Sequence, residues 1–262
     1  MPCRGTDEAA VQPFGRLVFG WVKVTVDRTK NGLKSGSAKE APMFKAVIFD
    51  MDGLMVDTER LLQRFWVEAA EELGFPMRPE HVLDIRSMSA PYAEGHLKRI
   101  VCPDFDYPRV RARRQQLMNA YIREHGIDKK PGLDQLLDRI GRSELRAAVC
   151  TATDYPRTEW YLKSIGVFEK FNEFICGNMV ANGKPAPDIY IRACAQLGLD
   201  PRECVALEDS PNGVISAAVA HLNVIMIPDL TQPTRDILPL TYAVCETLDK
   251  AGDVIFGNLK QK

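Results

Sequence analysis

Apolar positions along this chain keep two different periods. Residues 46–49, Ala-Val-Ile-Phe, form an unbroken apolar run, the pattern of a strand covered on both faces. Similar short runs predict strands over 147–151, 173–176, 205–208 and 224–227. From about 60 to 121 the pattern is helical almost throughout. Leu61, Leu62, Phe65, Trp66, Ala69 and Ala70 recur at helical spacing, and Gly74 followed by Pro76 gives a stop. Further helices are expected over 91–100 and 107–125. After 126, helices over 133–140, 156–165, 187–197 and 212–220 alternate with the strands, which specifies an α/β fold with a Rossmann-like parallel sheet.

The residues before Met43 are a separate compositional block, and 29–39 reads as a linker. Its one apolar patch, residues 17–22, is broken by Lys23 and preceded by Asp7 and Glu8, which suits neither a signal peptide nor an acid-poor transit peptide. Residues 1–42 are therefore expected to be an over-extended start or a disordered tail.

The first strand runs straight into Asp50 and Asp52, with Gly53 behind them. In open α/β sheets ligands bind just past the carboxyl ends of the strands, where Asp50 falls. Side chains alternate along extended chain, so the two carboxylates can face one side and share a metal or substrate. A calcium loop would need a preceding helix, a later glycine and a closing bidentate Glu, none of which is present. A solvated turn is the plainer alternative.

Later segments bear on that choice. Residues 145–151 are a strand ending in the hydroxyl of Thr151, 182–188 a loop presenting Lys184 before a helix, and 204–213 a strand ending in a second acidic pair, Glu208 and Asp209. Together with residues 47–59, these ordered segments resemble the motifs of the haloacid dehalogenase (HAD) superfamily, most closely its phosphatase and phosphoglucomutase branch. The resemblance covers roughly residues 43–229. It implies a core of 43–58 and 126–262 with an all-helical cap, 59–125, inserted between the first two motifs. It also implies Mg²⁺-dependent hydrolysis of a small phosphorylated metabolite, such as a sugar phosphate, through an aspartyl-phosphate.

Phosphoryl transfer needs a nucleophile, a proton donor for the leaving oxygen, and positive charge around the phosphoryl oxygens. The resemblance assigns these to Asp50 as nucleophile and Asp52 as general acid and base. Thr151 and Lys184 would hold phosphoryl oxygens. Asp50, Asp209, Glu208 and the backbone carbonyl of Asp52 would hold magnesium in an all-oxygen site. The chain departs from the family at Ala152, where Asn or Ser is more usual. A β-phosphoglucomutase-like mutase is the nearest alternative. Such enzymes carry a cap arginine that grips a distal phosphate, and the corresponding stretch here, residues 87–90, ends in Ala90 instead. Arg86 lies close enough to substitute, and Arg86, His96 and Trp66 are the cap residues expected to be able to face substrate. An inactive binding protein of this fold would have no need to keep Asp50, Asp52, Lys184 and Asp209 together. A dehalogenase would not need Asp52, since halide leaves without a proton.

Composition narrows the partners. With 262 residues, 45% hydrophobic and 26% charged, the chain has room for a full core. A formal net charge of -1 gives no electrostatic case for nucleic acid or an anionic membrane. No apolar stretch approaches the ~18 residues that span a bilayer. Seven cysteines without a Cys-x-x-Cys pair argue against a disulfide framework or zinc site. Cys150 and Cys204 read as small core residues in a reducing cytoplasm. A monomer is expected.

Overall fold

The computed structural model describes residues 44–257; the expected N-terminal extension lies outside the described residues. Six parallel strands form one sheet in the order β3-β2-β1-β4-β5-β6. These are β1 (Ala46–Phe49), β2 (Arg146–Thr151), β3 (Glu173–Cys176), β4 (Cys204–Glu208), β5 (Asn223–Met226) and β6 (Ala243–Val244). The unbroken apolar character of β1 follows from its place at the middle of the sheet. Val47 and Phe49 pack into the core on one face, and Ala46 and Ile48 into that on the other, all with no exposure. In β4, Val205 and Leu207 face the first core while Cys204 and Ala206 face the second. Cys150 and Cys204 are buried free thiols, as expected.

Between β1 and β2 the chain forms α1 (Glu59–Glu72), α2 (Pro79–Asp84), α3 (Ala90–Ile100) and α4 (Tyr107–His125), then α5 (Leu133–Gly141). The short α2 falls within the stretch expected to be helical but had no bounds of its own; proline at its start and only six residues leave little periodicity to read. After β2 come α6 (Tyr155–Ser164), α7 (Asp188–Leu197), α8 (Pro211–Val219) and α9 (Leu248–Ile255). The expected strands and helices of the sheet region are present with ends shifted by one or two residues, whereas β6 and α9 had no expectation.

The inserted helices build a core of their own around Trp66, Val82, Leu97, Phe105 and Val110. It is not sealed off from the sheet. Phe65 of α1 and Met118 and Ile122 of α4 belong to the sheet's core, and Leu62 and Leu117 pack against both clusters. A second tie is a backbone hydrogen bond from Ser89 to the carbonyl of Lys184, 3.0 Å. Among the described residues no helix is long and apolar enough to cross a membrane.

Candidate active site

Asp50 directly follows β1, while Thr151 ends β2 and Glu208 ends β4. Because β1 lies between β2 and β4 in a parallel sheet, these three side chains meet at the carboxyl edge. Gly53, at φ 82°, turns the chain back so that its amide donates to the carbonyl of Val56 at 2.9 Å. A Cβ at Gly53 would run into the Asp209 carboxylate, so only glycine lets the turn lie against the acidic cluster.

Lys184, fully buried in the loop before α7, is the centre of charge. Its ammonium donates to Asp50 Oδ1, to Glu208 Oε1 at 2.6 Å and to the carbonyl of Cys150 at 2.9 Å. An ammonium has three protons, and all are engaged. The role expected for Lys184, holding a phosphoryl oxygen, thus requires it to share a proton now given to these partners. Burial opposes a charge here but is outweighed by Asp50 and Glu208, so Lys184 is held more firmly protonated than an ordinary lysine. Glu208 Oε1 also accepts the hydroxyl of Tyr190 from α7. A Cβ at Gly213 would overlap the Glu208 carboxylate, which explains a glycine in the first turn of α8. Ser210 caps that helix, accepting from the Gly213 amide at 3.2 Å. The acidic pair before it is left free for the cluster.

Asp50, Glu208 and Asp209 each place a carboxylate oxygen within 4.8 Å of the others. Asp50 Oδ2, Glu208 Oε2 and Asp209 Oδ1 are buried and have no hydrogen-bond partner among the described residues. Burial pushes the Asp50 and Asp209 carboxyls well above their ordinary range, against the pull of Lys184 on one and Arg86 on the other. Three unpartnered oxygens and a shortage of positive charge fit a hard divalent cation such as Mg²⁺.

Asp52 is aimed elsewhere. Thr58 Oγ1 donates to its Oδ1 and Thr153 Oγ1 to its Oδ2, both at 2.7 Å. Thr58 precedes α1 in the N-cap position but makes no side-chain cap bond, because its hydroxyl serves Asp52. Thr151 accepts the backbone amide of Thr153 at 3.1 Å, fixing the turn that brings Thr153 to Asp52. Asp50, Asp52 and Thr151 line one cavity of about 390 Å³ between the sheet edge and the inserted helices.

Arg86 departs from expectation. It is not free to grip a distal phosphate. Its guanidinium is buried, donating Nε to Glu59 Oε2 and Nη1 to Thr231 Oγ1, both at 3.0 Å, and Nη2 to Asp209. Desolvation of so polar a group is tolerated only because two carboxylates surround it. His96 is half-buried near Asp84, 3.6 Å, and does not line the cavity; Trp66 does. The cavity also carries Arg111, Arg114 and Arg157, none of which was expected. Arg111 and Arg114 stand three apart on α4, a spacing that puts them on one face, but the same spacing on a polar helix ordinarily reads as solvated surface.

A family model described as haloacid dehalogenase-like hydrolase matches residues 44–221. The chain belongs to this family. The Drosophila melanogaster protein named Probable pseudouridine-5'-phosphatase is 32% identical over 192 residues, spanning 70% of this chain and 80% of that protein. The phosphorylated carbohydrates phosphatase of Thermotoga maritima is 29% identical over 184 residues, 68% of this chain and 82% of the relative. Among solved structures, CbbY from Rhodobacter sphaeroides in complex with xylulose-(1,5)bisphosphate superposes with a TM-score of 0.69 at 26% identity, covering 80% of this chain and 99% of that one.

Proposed function

We propose that this hydrolase is a Mg²⁺-dependent phosphatase acting on a small phosphorylated metabolite, a sugar phosphate or similar monoester. The observation that carries the reading is the separation of two carboxylates in one cavity: Asp50 against a lysine and two further acids, Asp52 between two hydroxyls. The names of the phosphatase relatives support the substrate class.

In this mechanism an Asp50 oxygen attacks phosphorus while the ester P–O bond breaks, and Asp52 gives its proton to the departing alkoxide. Asp52, now a carboxylate, takes a proton from the water that attacks the aspartyl-phosphate, and the bond to Asp50 breaks. A threonine hydroxyl both donates and accepts, so Thr58 and Thr153 can hold Asp52 in one orientation through both protonation states. Lys184 and Thr151 stabilise charge at the sheet edge. Asp50, Glu208, Asp209 and the Asp52 carbonyl would hold the cation, which supplies positive charge beside the nucleophile and the transferring phosphoryl group. The helices of 59–125 act as a cap that excludes bulk water while the ester is bound.

A mutase of the β-phosphoglucomutase kind would use the same core. The test is to incubate the protein with Mg²⁺, β-glucose 1-phosphate and a trace of the 1,6-bisphosphate, and separately with a panel of sugar, polyol and nucleoside monophosphates. Free phosphate is the expected product. Predominant glucose 6-phosphate, or no phosphate from any ester in the panel, would overturn the assignment.

A further inference from the structure

The wall of the cavity contributed by α4 and α6 is unusually cationic. Arg111 and Arg114 reach it from α4, Arg157 from α6. Elsewhere in the described residues Arg86 has Glu59 and Asp209, Arg113 has Glu72 and Arg139 has Asp253, while the half-buried Arg146 donates to the backbone carbonyl of Leu197. The three cavity arginines form no ion pair among the described residues. Of the two acids nearest Arg157 in sequence, Asp154 spends Oδ1 on the backbone amide of Arg157 at 3.1 Å and Glu159 pairs with Lys163 at 2.7 Å.

Arg114 is the most telling, because it is only 8% exposed. Its guanidinium lies 5.1 Å from the Trp66 ring and makes one weak bond, to Met118 Sδ at 3.8 Å, while its Nε is buried without a partner among the described residues. Arg157 gives one proton to the Tyr161 hydroxyl at 3.1 Å, and its Nε is likewise buried and unpartnered. Burial, then the charges of Arg157 and Arg111, lower Arg114 to about 10, which still leaves it cationic at neutral pH. Burying an unsatisfied, charged donor fork is costly, and a group of like charges costs more. Forks of this kind match the paired oxygens of a carboxylate or phosphate.

We propose that the substrate carries a second anionic group, a carboxylate or a second phosphate, which seats on Arg111, Arg114 and Arg157 while its scissile ester lies at Asp50. The inference rests on the phosphatase reading for the ester, and on the arginines alone for the second anion. It makes these arginines the specificity determinants of the cavity. An ester that is neutral at its far end leaves three guanidiniums without counter-charge.

The experiment uses the full chain with Asp50→Asn, so that ligand is not consumed, in excess Mg²⁺. Calorimetry compares sorbitol 6-phosphate, 6-phosphogluconate and fructose 1,6-bisphosphate, which carry respectively no second anion, a carboxylate and a second phosphate. At least one of the latter two should bind roughly 10- to 100-fold tighter than the sorbitol ester, the scale of a charged hydrogen-bond set, and the stronger of them identifies the group. Adding Arg114→Met should erase that gain. The half-exposed Arg111→Met, which threatens the fold less, should reduce it, and Arg114→Lys should restore it only in part because the fork is lost. If neither doubly anionic ester binds tighter than the sorbitol ester, or the gain survives both methionine variants, the subsite is overturned. Phosphate release by the wild type is read separately. A gain in affinity with no release from any of the three would leave the subsite standing and remove the phosphatase, and release without a gain would do the reverse.

Discussion

Lys184→Met is the most informative single perturbation of the charge cluster. The lysine is fully buried and is hydrogen-bonded to two carboxylates that are themselves buried. Methionine preserves much of the volume but leaves Asp50 and Glu208 without the cation between them. Breaking a buried pair by removing one partner costs about 3–5 kcal/mol, because the remaining charge stays desolvated. For a domain of this size about 1 kcal/mol moves Tm by ~2–4 °C, so a fall of roughly 6–20 °C is expected. The exposed pair Lys163–Glu159, 2.7 Å, is the control; Lys163→Met should cost under ~1 kcal/mol.

The loss should also depend on pH with a definite sign. Lys184 lowers the Asp50 pKa against the upward push of burial, so its removal raises the folded-state value further. A carboxyl whose folded pKa lies above its unfolded one destabilises the fold once pH rises past the unfolded value, and the penalty disappears as the folded group takes up its proton. The deficit of Lys184→Met should therefore be largest at neutral pH and shrink as the solution is acidified. Urea unfolding in EDTA, followed from neutral pH down towards pH 5 for wild type, Lys184→Met and Lys184→Met/Asp50→Asn, measures this. The double variant should recover about 1 kcal/mol or more at neutral pH, since the orphaned anion is gone. A loss below ~1 kcal/mol, or no recovery in the double variant, would refute the view that buried charge is what Lys184 neutralises.

Asp52→Asn should lower turnover of an alkyl phosphate by about 10² to 10⁴ and that of an aryl phosphate by less, since a good leaving group needs little proton help; equal losses would contradict the proton-donor role. Burial, opposed by Arg86, raises the Glu59 carboxyl from its ordinary 4.5 to about 7. Wild-type stability measured in EDTA should thus decline between about pH 4.5 and 7, by about 3 kcal/mol at most from this group, and Glu59→Gln should flatten that limb; parallel profiles for the two proteins would argue against it. Chelation should silence turnover and added Mg²⁺ restore it, because the cluster offers oxygen ligands alone, and full activity after demonstrated metal removal would count against the cation site.

The sheet and its acidic edge were legible because both follow local rules. Unbroken apolar runs mark covered strands, and the chemistry of this fold class gathers at their carboxyl ends, so Asp50, Thr151, Glu208 and Asp209 could be placed from their position after each run. Lys184 was singled out by the resemblance of its loop to a family motif, since a lysine alone ordinarily reads as solvated surface, and its triple engagement was not foreseen. What the sequence withheld depends on long-range packing. Thr58 reads as an ordinary helix cap, and only its missing cap bond in the structure reveals that it faces Asp52, six residues back. A clue was present in Thr153, two residues beyond a strand end, yet a threonine there is unremarkable by itself. The two-residue β6 and the eight-residue α9 carry too little pattern to be read without the sheet edge they complete.

Arginine shows the limit most clearly, since its sequence context was the same in every case: a charged residue on or beside a cap or core helix. Arg86 was expected to be able to grip substrate, and it is instead tied to Glu59, Thr231 and Asp209, joining the start of α1 to the edge of the sheet. Arg111, Arg114 and Arg157 drew no expectation, and they are the ones that line the cavity without acidic partners among the described residues. The family's mutases place a single grip arginine where this chain has Ala90, whereas the fold assembles its cationic wall from two helices that lie on opposite sides of β2 in the chain. That wall weakens the sequence argument against phosphate migration. Two anionic ends are compatible with a mutase as well as with a hydrolase, so what separates them is the fate of the phosphoryl group on Asp50. Asp52, held by two hydroxyls that serve either protonation state, is as able to activate water as a sugar hydroxyl. The choice therefore lies with whichever acceptor the cavity admits beside it, and the arginines, by fixing the far end of the substrate, govern whether a sugar hydroxyl can return to that position before water does.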